Sequence, residues 1–119
     1  MKLIPLYDET APIACTISPD ETAERFGLLD RLRASHHALE RTDHGLLLRF
    51  PAEPDVEADV RQLVIDEKRC CAFFGFAVTT TETDLALRWD APPDAATIID
   101  QLADWFAGDA PVEALAGLL

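Results

Sequence analysis

The hydrophobic period of this chain changes four times, and that alternation limits what it can fold into. Phe26, Leu29, Leu32, His36 and Leu39 recur at three- and four-residue steps, the spacing of one helix face. In "GLLLRF" (45–50), Leu46, Leu48 and Phe50 instead alternate with Leu47 and Arg49, the spacing of a strand. Helical spacing returns in "EPDVEADVRQLVIDEKRCCAFF" (53–74), strand spacing in "FAVTTTETDLALRW" (76–89), and helical spacing again at Ile98, Leu102 and Trp105. Such a rhythm of helix followed by hairpin predicts an α+β fold: an antiparallel sheet of about four strands, in two hairpins, packed by three to four helices.

Punctuation in the sequence supports these elements. Ser18, Pro19 and Glu21 form a capping box that starts a first helix, expected to run to about Leu39. A first hairpin, 39–42 and 46–50, turns at "DHG" (43–45). Pro54 and the acids Glu53, Asp55, Glu57 and Asp59 suit the start of a second helix, ending between Cys71 and Phe74. "TETD" (81–84) turns a second hairpin, the "PP" at 92–93 precedes a third helix, and Asp109 caps a short last one from Pro111.

With 119 residues and 49% apolar content, the chain fits a single domain over 1–119, with 1–12 as a loosely ordered amino-terminal segment. Twenty-two acids against ten bases give a net charge of −12, which repels nucleic acid and anionic membranes. The amino terminus is broken by Pro5, Asp8 and Glu9 and does not read as a signal peptide, and no segment is long enough to span a membrane. A cytoplasmic location follows, where three cysteines are expected to stay reduced.

The chemistry concentrates in "DEKRCCAFFGF" (66–76). On a helical wheel at about 100° per residue, Val56, Val60, Leu63, Glu67, Cys70, Cys71 and Phe74 share one sector. A carboxylate inside an apolar stripe needs a hydrogen-bond donor, an arginine such as Arg49 or Arg88, or a polar pocket. Thiolates are the ligands that soft ions select, and Cys70, Cys71 and Cys15 supply three sulfurs. Adjacent helical cysteines point about 100° apart and are poorly placed to bridge each other. His36 falls on the apolar side of its helix, His37 in solvent and His44 in a turn, none with metal-ligand spacing. Phosphate loops, the G-x-S-x-G elbow, H-E-x-x-H and C-x-x-C are absent from the sequence.

Across "IACTIS", "ERT", "GLLLRF", "EKRCCAFFGFAV" and "LRWDAPPDAATIIDQL" the chain resembles small actinobacterial-type proteins whose segments also occur as the carboxy-terminal extension of some MerR-type heavy-metal regulators. The likeness covers about Pro12 to Phe106, and its most specific element is Glu67 with Cys70, Cys71, Phe73 and Phe74. The resemblance implies mercury-type biology and makes a Cys15, Cys70, Cys71 cluster more attractive.

The leading expectation is therefore a cytoplasmic thiol protein that binds a soft metal or metalloid through Cys15, Cys70 and Cys71, with Glu67 auxiliary. A second reading is a thiol-dependent enzyme that cleaves a carbon–metal bond, Glu67 protonating the leaving carbon beside Phe73, Phe74 and Phe76. A third is a metal-free module that forms a homodimer or docks a regulatory partner through Trp89, Trp105, Phe106 and the tail "PVEALAGLL".

Overall fold

The computed structural model describes residues 6–7 and 19–108, and within these only the backbone at 19–23 and 70. The order of elements is α1 (Pro19–Ser35), β1 (Ala38–Arg41), β2 (Gly45–Pro51), α2 (Pro54–Cys70), β3 (Gly75–Thr80), β4 (Asp84–Asp90), a single 3-10 turn (Pro93–Ala95) and α3 (Ala96–Ala107). The expected cap at Ser18, Cys15, residues 8–12 and the short helix from Pro111 lie outside the described residues.

All strand pairs are antiparallel, in the order β1-β2-β4-β3, so the two hairpins join through β2 and β4 into one open sheet. This is the α+β architecture that the alternating periods predict. Leu46 faces Trp89, Leu48 faces Leu87 and Phe50 faces Leu85 across the central pair. Because successive strand residues point to opposite faces, these six share one face, and all six are buried. They meet Leu28, Leu29 and Leu32 of α1, Val60 and Leu63 of α2, and Ile99, Leu102, Trp105 and Phe106 of α3 in one core. No described helix is long and apolar enough to cross a membrane.

Two helix ends differ from expectation: α2 closes at Cys70, just before the expected span of 71–74, and α1 departs further. α1 stops at Ser35, four residues short of Leu39. The His36 N–H still donates to the Leu32 carbonyl, but the His37 N–H donates to Arg49 in the sheet, so the chain has left the helix. Leu39 continues the helical spacing by coincidence and instead pairs with Leu48 in β1. At the other end of the sheet, the Leu6 N–H donates to Oδ2 of buried Asp90 at 3.2 Å.

Two glycines are required by close backbone approach. A Cβ on Gly45 would stand 1.9 Å from the Trp89 carbonyl oxygen, and one on Gly75 would stand 2.3 Å from the Leu6 carbonyl carbon. Neither obstacle is a side chain that can turn away. Gly45→Ala and Gly75→Ala are each expected to lower the unfolding free energy by about 1–3 kcal/mol, the usual cost of overpacking. Urea denaturation would check this, with Gly27→Ala as a control, since a Cβ there would approach only the Arg31 side chain, at 3.8 Å.

Candidate functional site

The stretch that concentrates the sequence's chemistry lies where α2 packs on α1. The apolar stripe of α2 turns Val60, Leu63 and Glu67 into the core, and Glu67 is 2% exposed. Its partner is Arg25 of α1, 3% exposed, whose Nη2 donates to the Glu67 carboxylate. The expected partners, Arg49 and Arg88, are excluded by strand parity: they alternate with Leu48, Phe50, Leu87 and Trp89 and so point to the opposite face of the sheet. The sequence does signal Arg25, which stands four residues before Leu29 and seven before Leu32 on the same helical stripe. Burial pushes the Glu67 carboxyl above its ordinary range, and the charge and hydrogen bond of Arg25 pull it back only in part.

The cysteines do not form the expected metal centre. Cys71 is fully buried at the carboxy-terminal cap of α2 and is disulfide-bonded, so its sulfur is not a free thiolate ligand. Cys15 and the Cys70 side chain lie outside the described residues. Among the described residues no group of three or more His, Cys, Asp or Glu is placed to hold a metal ion. The expectation of a soft-metal protein built on clustered cysteines is thereby overturned. Its physical basis fails at both described members, because Glu67 is engaged by Arg25 and Cys71 by a disulfide. That bond also departs from the expectation that all three thiols stay reduced.

The neighbouring groups are engaged as well. Lys68 Nζ donates to the carbonyls of Ala72, at 2.9 Å, and Phe74, closing the end of α2. Phe73 and Phe74 are buried and meet in a tilted contact with ring centroids 4.4 Å apart, and both Phe74 and Phe76 pack on Trp89. Phe73 and Phe74 thus belong to the core, with Phe76 packed against it. Trp89, Trp105 and Phe106, expected to cover a partner, are buried in the core. His36 packs edge-on against Phe106, His37 Nε2 is 3.2 Å from Asp84 Oδ1, and His44 meets the edge of Tyr7. A cavity of about 250 Å³ lies between the β1–β2 turn and the start of α3, bordered by Arg41, His44 and Pro93. Arg41 is already bound to Asp100 at 2.7 Å.

A different surface carries unused chemistry. The sheet face turned away from the core bears, in one row, Glu40, Leu47, Arg88 and Ala77, and in the next, Ala38, Arg49, Ala86 and Thr79. Arg88 is held in a two-pronged contact with Asp90 of its own strand, Nε to Oδ1 at 3.1 Å and Nη2 to Oδ2 at 2.8 Å. Arg49 has no ion pair or side-chain hydrogen bond among the described residues, whereas Arg25, Arg31, Arg41, Arg61 and Arg88 each reach a carboxylate. Arg33 lies over the Trp105 ring at 4.4 Å. Comparison with family models, with curated proteins and with solved structures finds no match.

Two outcomes follow for the buried pair. Arg25→Ala is expected to cost about 3–5 kcal/mol, as removal of one member of a buried pair does, while Arg25→Met/Glu67→Met recovers most of the loss; chemical denaturation of the three proteins measures this. Because the folded-state pKa of Glu67 is raised, its contribution to stability is complete below the pH at which it titrates in the unfolded chain and is lost as pH rises through its folded value. The stability of the wild type relative to Glu67→Gln should therefore fall over that rise, and an increase would show that Arg25 outweighs burial. Thiol titration without reductant should find at most one reactive sulfur per chain, because the disulfide at Cys71 takes two of the three.

Proposed function

We propose that the protein is a non-catalytic binding domain that presents Arg49, on the sheet face turned away from the core, to an acidic group on a protein partner. The observation that carries this reading is Arg49, half-buried near the middle of that face with its guanidinium unpaired among the described residues. In a chain with more than twice as many acids as bases, an arginine left without a carboxylate is out of keeping with its neighbours. Arginine suits such a task because its planar fork offers several donors to one carboxylate in fixed geometry. Ala38 and Ala86, both small, stand opposite Arg49 on the two neighbouring strands.

The net charge of −12 supports a protein partner over a polyanion, since a phosphate backbone would be repelled at long range while a single carboxylate at Arg49 would not. The engagement of Glu67, Lys68 and Cys71 in internal bonds favours binding over catalysis at the α1–α2 contact.

If Arg49 serves a partner and not the fold, Arg49→Val should leave the unfolding free energy within about 0.5 kcal/mol of the wild type. A loss well beyond about 1 kcal/mol would assign Arg49 to the fold and remove the reading. Immobilised wild-type protein should also retain a protein at stoichiometric level that Arg49→Glu loses and the exposed-helix control Arg61→Glu keeps; equal retention by all three argues against the sheet face.

A further inference from the structure

The sheet ends on two edge strands, and they are guarded unequally. β1 has four residues, and two of them, Glu40 and Arg41, are exposed charges of the kind that discourage pairing with another chain. β3 has six, and the run "GFAVTTT" (75–81) contains neither a charge nor a proline. In a chain with 27% charged residues this edge is the exception. Phenylalanine, valine and threonine also favour the extended backbone, and the register of β3 on β4 runs without a bulge.

The hydrogen bonding shows which backbone groups this edge offers. Rungs of an antiparallel pair alternate between bonded and non-bonded. One step beyond the Thr80–Leu85 rung, the Thr81 N–H donates to the Asp84 carbonyl at 2.8 Å, so the bonded rungs within the pair are Thr79–Ala86 and Ala77–Arg88. On the other side of β4 the Ala91 N–H donates to the His44 carbonyl, also at 2.8 Å, which fits the same parity. Phe76, Val78 and Thr80 therefore turn their N–H and C=O groups to the open edge. Among the described residues none of these groups has a partner. Leu6 and Tyr7 approach β3 at Gly75, ahead of these residues, and Thr79 and Thr80 are exposed.

We propose that the edge of β3 is a pairing site and that its occupant is β3 of a second copy, laid antiparallel about a two-fold axis at Val78. This register sets Val78 against Val78 and Phe76 against Thr80, so outward groups meet outward groups, and each such rung exchanges two hydrogen bonds. Side chains match as well: a large Phe76 meets a small Thr80 on one face, and Ala77 meets Thr79 on the other. Residue i meets j and j meets i, as an isologous contact requires. The same axis brings Glu82, in the β3–β4 turn of each copy, opposite Phe74 of the other, whose carbonyl accepts from the Lys68 ammonium. Net charge favours a copy over a foreign strand. A strand drawn to an acidic chain would be basic, and β3 has no acid to meet it, whereas two chains of −12 repel least along an uncharged edge. The pairing goes beyond the reading of Arg49, which lies on β2 and takes no part in it.

Sedimentation equilibrium from about 10 µM to about 1 mM should carry the wild type from monomer to dimer, a range suited to a contact below the roughly 800 Å² per partner of a standard interface. Thr80→Pro removes an outward N–H and leaves the bonds to β4 intact, so it should raise the dissociation constant about tenfold or more. Arg49→Glu should stay within about threefold of the wild type. Circular dichroism separates loss of fold from loss of contact in each variant. Amide exchange of the wild type is a second readout that needs no substitution: the amides of Phe76, Val78 and Thr80 should slow several-fold as concentration rises, while those of Ala77 and Thr79 are protected throughout. A wild type that stays monomeric to about 1 mM, or a dimer whose outward amides exchange as in the monomer, overturns the proposal. So does a dimer that Arg49→Glu abolishes and a folded Thr80→Pro keeps. None of these results touches the reading of Arg49 as a partner contact except the last, which would support it.

Discussion

The pairing of β2 with β4 is the constraint on which the rest of this structure depends. It joins two helix-and-hairpin halves into one sheet, and its register decides which residues lie on each face. With Leu46, Leu48 and Phe50 set against Trp89, Leu87 and Leu85, the apolar face is continuous across the seam and the helices have one surface to cover. A slip of one residue in either strand would turn Arg49 or Arg88 into the core, where the buried carboxylate of Glu67 is already paired with Arg25. The same parity leaves a second face with charged and small residues.

The buried Arg25–Glu67 pair is a different kind of tie. Such pairs contribute little net stability over apolar residues of equal size, because desolvation offsets much of the attraction. What the pair does add is position. It ties Arg25 on α1 to Glu67 on α2. The disulfide at Cys71 and the Lys68 contacts close the end of α2 beside it.

The fold was legible because the hydrophobic period identifies each element and short turns leave hairpins as the economical connection. The end of α1 was misread because Leu39 fits both spacings, and only the hydrogen bond from His37 to Arg49 separates them. The inward turn of Glu67 could be read from its stripe, but its partner could not be assigned until α1 and α2 were placed together; Arg25 was visible only as an arginine at core spacing. Three cysteines suggested a soft-metal centre because sequence shows ligand types without showing which are already engaged. Arg49 was expected as a partner for Glu67 although it alternates with Leu48 and Phe50, and only the strand register shows that it points to the opposite face of the sheet.

The contacts that hold the two halves together share a feature that bears on how the chain acquires its structure. Arg25 and Glu67 are 42 residues apart, and Leu46 and Trp89 are separated by nearly the same length. Each hairpin closes over a few residues, whereas the seam between them and the helix-to-helix tie both close long loops, and that entropy must be met before any of their contacts form. Local helices and hairpins thus have little to wait for, and the docking of one half on the other sets the pace. Until it occurs, each half carries an uncovered apolar strand, so the interval before docking is when the chain is most exposed to association with the wrong neighbour.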